Sequence, residues 1–376
     1  MTGITPKDDK LMRDTLLDWL AALRDALTRL GQRLLRLYHP DTWRRKGFTW
    51  SVGIVTATLV VFVLILGLYW SDEPESFDVR AHAQSLAQVR TGAADASLVT
   101  GEVTTATLIR VAGTLLDKPG GYLSNDIFPP GLYLDNIPNW EYGVLVQVRD
   151  LSRALRNDIS RSQSQSAEDR DLIIAEPQFS FDSESWMLPP TEREYREGIR
   201  ALERYLARLS DADQADAQFY ARADNLRAWL EMVEKRLGSL SQRLSASVGQ
   251  TRINTDLAGE RAAQQSTQKP AELEVKTPRF EVDDVFYEAR GAAWALLHFL
   301  KAAEHDFRPA LEDKNAVVSL RQIIRELEAT QQPIWSPIIL NGNGFGIITN
   351  HSLVMASYLS RANAAVIDLR NLLEQG

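Results

Sequence analysis

Residues 48–70 read FTWSVGIVTATLVVFVLILGLYW, and the eighteen from Ser51 to Leu68 carry no charge. At a helical rise of about 1.5 Å per residue, this stretch covers about 30 Å, the thickness of a bilayer's hydrocarbon core. Trp50, Tyr69 and Trp70 stand at its two ends, where interfacial aromatic belts form. A core helix seldom runs so far without one polar anchor, so the stretch predicts a transmembrane helix.

The flanking charges predict its direction. Arg29, Arg33, Arg36, Arg44, Arg45 and Lys46 precede the span, while Asp72, Glu73, Glu75 and Asp78 follow it with only Arg80 positive. Under the positive-inside rule the N-terminus is cytoplasmic and the body lies across the membrane. In a Gram-negative cell that means an inner-membrane protein with a periplasmic body. Arg44, Arg45 and Lys46 are the candidate interface cations. The apolar run is too long and too far from Met1 for a cleaved signal peptide. The triplet Ala81-His82-Ala83 imitates a cleavage site but lies well beyond the run. The span reads as a permanent anchor.

Length and composition narrow the rest. At 376 residues the chain has room for two or three domains, and 44% hydrophobic residues suffice to bury a core. The absence of cysteine excludes disulfides, thiolate catalysis and cysteine-ligated metal centres. Ten Lys/Arg against six Asp give residues 1–47 a charge of +4, leaving −12 of the net −8 for residues 48–376. So acidic a body is a poor partner for nucleic acid, and none is expected.

Before the span, Leu16, Leu20, Leu23, Leu27, Leu30, Leu34 and Leu37 alternate steps of four and three, an unbroken a/d stripe. It predicts a coiled-coil seam for self-association or a partner helix. Equally, with Leu17, Trp19 and Leu35 widening the apolar face, it predicts a helix lying on the inner leaflet. A plain cytoplasmic tail is the third reading.

Beyond the span the periodic stretches are helical and no strand pattern of convincing length appears, which predicts an all-α fold: one N-terminal transmembrane helix and a helical periplasmic body. Residues 71–98 read as a stalk. Residues 99–248 form a first subdomain, 249–276 a flexible linker without periodicity, and 277–376 a C-terminal helical subdomain. Within the first, 118–143 (KPGGYLSNDIFPPGLYLDNIPNWEYG) is a loop too apolar to stand in water, and a helix is expected from about Trp140 to Ser162. After Pro189-Pro190, Thr191 and Glu194 predict a capping box. The helix they open and a following one over 213–247 should pair as a long antiparallel hairpin. The seam Leu226, Leu230, Val233, Leu237, Leu240 and Leu244 of the second helix outruns its neighbour and is a candidate partner surface.

No motif for chemistry is specific. Asn341-Gly342-Asn343-Gly344-Phe345-Gly346 lacks the Lys-Ser/Thr of a P-loop and reads as a tight connection capped by Thr349 or Asn350. His298 and His305 are seven apart, the wrong spacing for a one-helix zinc site, and His298 reads as a buried structural residue. Asp283, Asp284 and Glu288 open a helix, where acids suit the macrodipole. No Gly-x-Ser-x-Gly elbow is present. No catalytic, cofactor-binding or metal-ligating residue is assigned, and no cofactor is expected.

The basic tail and lone span, the 118–143 block, the PPTEREYREG helix start and the final IILNGNGFGIITNHSLVMASYLSRANAA segment together resemble a family of uncharacterised proteobacterial single-pass inner-membrane proteins of unknown function. The resemblance implies an inner-membrane location and brings no catalytic residues. The sequence thus points to a non-enzymatic scaffold that binds a protein partner or a second copy at the bilayer. The alternatives are a cell-wall or lipid hydrolase, its site near 118–143 and 341–350, and a small-molecule sensor.

Overall fold

The computed structural model describes residues 36–93, 97–162, 167–211, 216–253, 272–336, 338–343 and 346–375, with positions 19, 21, 22, 24, 25, 28, 29, 31 and 32. Twelve α-helices and one two-stranded sheet appear among them. The all-α class is as expected. The chain divides into two compact units, Met1–Leu66 and Gly67–Gly376.

In the first unit, α1 (Pro40–Lys46) begins at His39, whose Nδ1 accepts from the Asp41 N–H, and ends at Gly47 with φ +90°. The Trp43 indole donates to the Leu37 carbonyl at 2.8 Å, folding this segment back on itself. Next comes α2 (Phe48–Trp70), whose last residues from Gly67 belong to the second unit; it is the one helix among the described residues long and apolar enough to cross a membrane. Only 6% of its most apolar window is buried within the chain, where a core helix would be mostly buried. Of the leucine stripe, Leu37 is half-buried, while Leu16, Leu20, Leu23, Leu27, Leu30 and Leu34 lie outside the described residues.

The second unit is built around α9 (Val282–Asp306), whose middle from Ala289 to Leu300 is buried on every side. Its small residues let neighbours come close: a Cβ on Gly291 would run into the Trp140 carbonyl, and one on Gly143 into the backbone of Glu288 and Ala292. There α9 crosses α5 (Asn136–Ala154) backbone to backbone. Around α9 also pack α4 (Glu102–Asp117), α11 (Val317–Thr330) and α3 (Val79–Thr91). The short α10 (Arg308–Asp313) links α9 to α11.

Several expectations are corrected. Within 71–98, read as a stalk, the helix α3 lies against the body: it turns Val79, Ala83 and Ala87 onto α4 and α9. The helix expected over 213–247 begins only at Ala223 (α8, Ala223–Ser245). Residues 216–222 before it are non-helical: Ala217 and Phe219 are buried, and the Tyr220 N–H donates to the Ile159 carbonyl at 2.8 Å. The capping box at Thr191 does not form. α7 (Thr191–Leu209) starts there, but the Thr191 hydroxyl donates to the Asp182 and Ser185 carbonyls instead.

The long antiparallel pair exists with a different partner. α7 packs on α6 (Leu172–Phe179) and α4, whereas α8 runs against α12 (His351–Glu374). Arg227 meets Glu374 and Ser241 donates to the Ala356 carbonyl, which fixes the opposed directions. Leu226, Leu230, Val233, Leu237, Leu240 and Leu244 are all buried in this packing, so the seam read as a partner surface is occupied by the chain itself. The ends of 249–276, read as a linker, pair as strands β1 (Gln250–Ile253) and β2 (Glu272–Val275).

Candidate functional site

The residues that distinguish this fold gather where the span enters the body. Gly120, at φ +86°, forms a turn that only a residue without Cβ adopts easily, and the Trp70 indole covers it. One turn back, Gly67 faces Pro130 and Leu134, and a Cβ there would lie 3.4 Å from the Pro130 Cβ. The apolar 118–143 loop thus packs partly as expected, with Tyr122 and Leu123 buried.

A buried ion pair holds that turn. Lys118 Nζ lies 2.6 Å from Glu141 Oε1, with both side chains at most 1% exposed. Glu141 also accepts from the Leu123 and Ser124 N–H groups at 2.9 Å and from the Ser124 hydroxyl. Burial pushes the Glu141 carboxyl up, and the Lys118 ammonium with these donors draws it back down.

Two further contacts pin the chain just past the span. Arg290 Nε donates to Glu73 at 2.6 Å while its Nη1 donates to the Thr330 and Gln332 carbonyls. His298 accepts from the Phe77 N–H at 3.0 Å through Nε2 and reaches the Trp294 carbonyl through Nδ1. Those partners assign the neutral ring with its proton on Nδ1, and burial lowers the pKa to about 4. This histidine is structural, as read from the sequence.

Beside these contacts opens a cleft of about 730 Å³, lined by Asp72, Glu75, His82, Arg110, Arg196 and Arg200 among others. Arg110 lies 4.0 Å over the Phe77 ring and 3.0 Å from His82 Nδ1. Burial, then the Arg110 charge, lowers the His82 pKa to about 4. With Nδ1 engaged by the guanidinium, the proton sits on Nε2, which is buried without a partner. His82 therefore carries an unpartnered N–H on Nε2 and has no free lone pair to act as a general base. Arg196 pairs with Asp117 and Arg200 with Glu197, so the walls are balanced in charge. The cleft takes Lys118 and Pro119 from the 118–143 loop and nothing from 341–350.

That second loop closes as the tight connection expected. The Asn350 side chain accepts from the Leu353 N–H to cap α12 and donates to Asn341, while Asn341 donates to the Ser247 carbonyl. Among the interface residues read from the sequence, Tyr69 is 62% exposed, Trp50 and Trp70 are half-buried, and Arg44, Arg45 and Lys46 are exposed in the last turn of α1. Among the described residues no cluster of acids and histidines has the form of a metal site. The Lys118–Glu141 and Glu73–Arg290 pairs escape sequence reasoning, because charges 23 and 217 positions apart leave no local pattern.

A protein-family model described as "Uncharacterized protein conserved in bacteria (DUF2333)" matches residues 43–376, which takes in the span and the whole body but not the leucine stripe. No curated protein and no solved structure matches the chain.

Proposed function

The chain belongs to this uncharacterised protein family conserved in bacteria, and we propose that it is a single-span inner-membrane protein whose helical periplasmic body serves as a non-enzymatic scaffold for a protein partner. The observation that carries the reading is the mount. The chain leaves the span straight into packed structure, through Trp70 on Gly120, Glu73 on Arg290 and Phe77 on His298. Such a mount suits presentation of a surface at the membrane. The buried acids support it too: Glu141 serves to hold a turn, and Asp306 caps α4 by accepting from the Thr104 N–H at 2.7 Å.

A partner surface of suitable composition lies on the segment after α11, where Trp335, Ile338, Ile347 and Ile348 are between 60% and 105% exposed. A photocrosslinker at Ile348 in native membranes should form an adduct with one envelope protein, and the same group at Arg308 should not. Adducts of equal yield at both positions, or none at Ile348, would count against the scaffold.

A second reading, small-molecule sensing, is favoured by a groove of about 300 Å³ bounded by Phe286, Ile334, Met355 and Tyr358. Arg290 also lines it, so an occupant would touch the residue that holds Glu73.

A further inference from the structure

Connecting loops run over the surface and are ordinarily polar. Two loops of the body break this rule side by side. In the first, Phe128, Leu132 and Tyr133 are 72%, 54% and 75% exposed; in the second, Trp186, Met187 and Leu188 are 51%, 51% and 88% exposed. Their bases are bonded together: Tyr122 Oη donates to the Ser183 carbonyl at 3.0 Å, and Asn125 Nδ2 donates to the Ser185 carbonyl at 2.8 Å. Burying side chains of this size is favourable, so leaving six in water discards a substantial driving force.

What covers them follows from their neighbour. The first loop rests on the last turn of α2, with Pro130 and Leu134 against Gly67, and the outward residues of that turn, Leu68 and Tyr69, are themselves 77% and 62% exposed. The exposed apolar surface of the two loops therefore continues that of the span's end. Trp and Tyr, apolar in body and polar at the tip, suit the headgroup layer. Acidic Asp126, Asp182 and Glu184 flank the loops, so attraction to anionic lipid is not the driving force.

We propose that the 127–133 and 186–188 loops form a second membrane contact, seated in the headgroup region of the leaflet where the span emerges. The contact rests on the single-span reading. It makes the body's approach to the bilayer depend on apolar burial and leaves it insensitive to salt and lipid charge.

The native absence of cysteine permits a direct test on the full chain. Single variants Phe128→Cys, Leu188→Cys, Leu59→Cys and Val318→Cys are labelled with an environment-sensitive fluorophore and reconstituted into phosphatidylcholine vesicles. Quenching is read with iodide on both sides of the membrane and with nitroxide-labelled lipids. Labels at 128 and 188 should show several-fold less iodide quenching than the label at 318 and clear quenching by the nitroxides. Iodide quenching at 128 and 188 equal to that at 318 overturns the contact, as does shielding from both quenchers, which means a second copy covers the loops. The label at 59 separates the two claims. If it is lipid-quenched while 128 and 188 are aqueous, only the second contact fails; if iodide reaches it, the span itself fails.

Discussion

Trp70 sits on Gly120 so closely that a Cβ on the glycine would fall 2.8 Å from the indole ring. The last residue of the span helix and the first turn of the 118–143 loop are thus fitted to each other. Gly120→Ala combines this clash with a φ of +86°, unfavourable for an L side chain by about 1–2 kcal/mol before the clash is counted. Thermal unfolding of the detergent-solubilised chain should show a Tm lowered by several degrees, and an unchanged Tm would contradict the contact.

The same turn depends on the buried pair beneath it. Glu141→Gln leaves the Lys118 ammonium uncompensated where it is 1% exposed, a loss of about 3–5 kcal/mol. Replacing both partners, Lys118→Met with Glu141→Gln, should recover much of that loss in chemical denaturation. If the double variant is as unstable as the single one, the hydrogen bonds to Leu123 and Ser124, rather than the charge pair, hold the turn.

Acid should loosen the segment that follows the span. The folded-state pKa of His298 lies near 4, below its ordinary 6.5, so the neutral ring is favoured by folding. Its contribution is complete above about 6.5 and is lost as pH falls towards 4, on the order of 2–3 kcal/mol by pH 4.5 for so buried a group. A protonated ring would also lose the acceptor for the Phe77 N–H. His298→Gln, whose amide oxygen can replace that acceptor, should flatten the stability profile between pH 6.5 and 4.5. An unaltered slope would place the acid sensitivity elsewhere.

Asp284 has the opposite sign. Burial, then the neighbouring Asp283, Asp135 and Glu281, raises its pKa to about 6. Its protonated form is favoured by folding, so stability is lost as pH rises from about 4 through 6. Asp284→Asn keeps an oxygen for the Asn139 amide and should raise Tm at pH 7 but not at pH 4. Because the side chain is half-exposed, solvent screening keeps the gain small. A lower Tm at pH 7 would refute the assignment.

How much of this is legible in the sequence depends on how local each cause is. The span is, because a bilayer demands one uninterrupted apolar run. So are most of the helices, from their apolar stripes, and the structural role of His298. Pairing is not: the α8 seam fits any leucine-rich stripe, and the adjacent helix in sequence was the natural expectation. α12 takes the position because Ala356, Leu359, Ala362, Val366, Leu369 and Leu373 present a buried face of matching length. The capping box at Thr191 fails for a similar reason, since two carbonyls from 182 and 185 compete for the same hydroxyl. At the candidate site the apolar character of the 118–143 loop is legible in the sequence. That it splits into a buried base and an exposed tip depends on the tertiary contacts of Tyr122 and Asn125. The stretch ARGAAWALLHFLKAA (residues 289–303), with few polar residues on any face, is the sequence signal of the central helix.

The most direct test of the account is the side of the membrane on which the body lies. Single-cysteine variants Asp25→Cys and Val318→Cys of the full chain would be exposed to a membrane-impermeant maleimide in cells with a permeabilised outer membrane and an intact inner one. Both native side chains are well exposed to solvent. The account predicts labelling at 318 in intact cells and at 25 only after the inner membrane is opened. Labelling at 25 with protection at 318 would invert the topology, and labelling of both positions only after lysis would remove the membrane-spanning anchor on which the account stands.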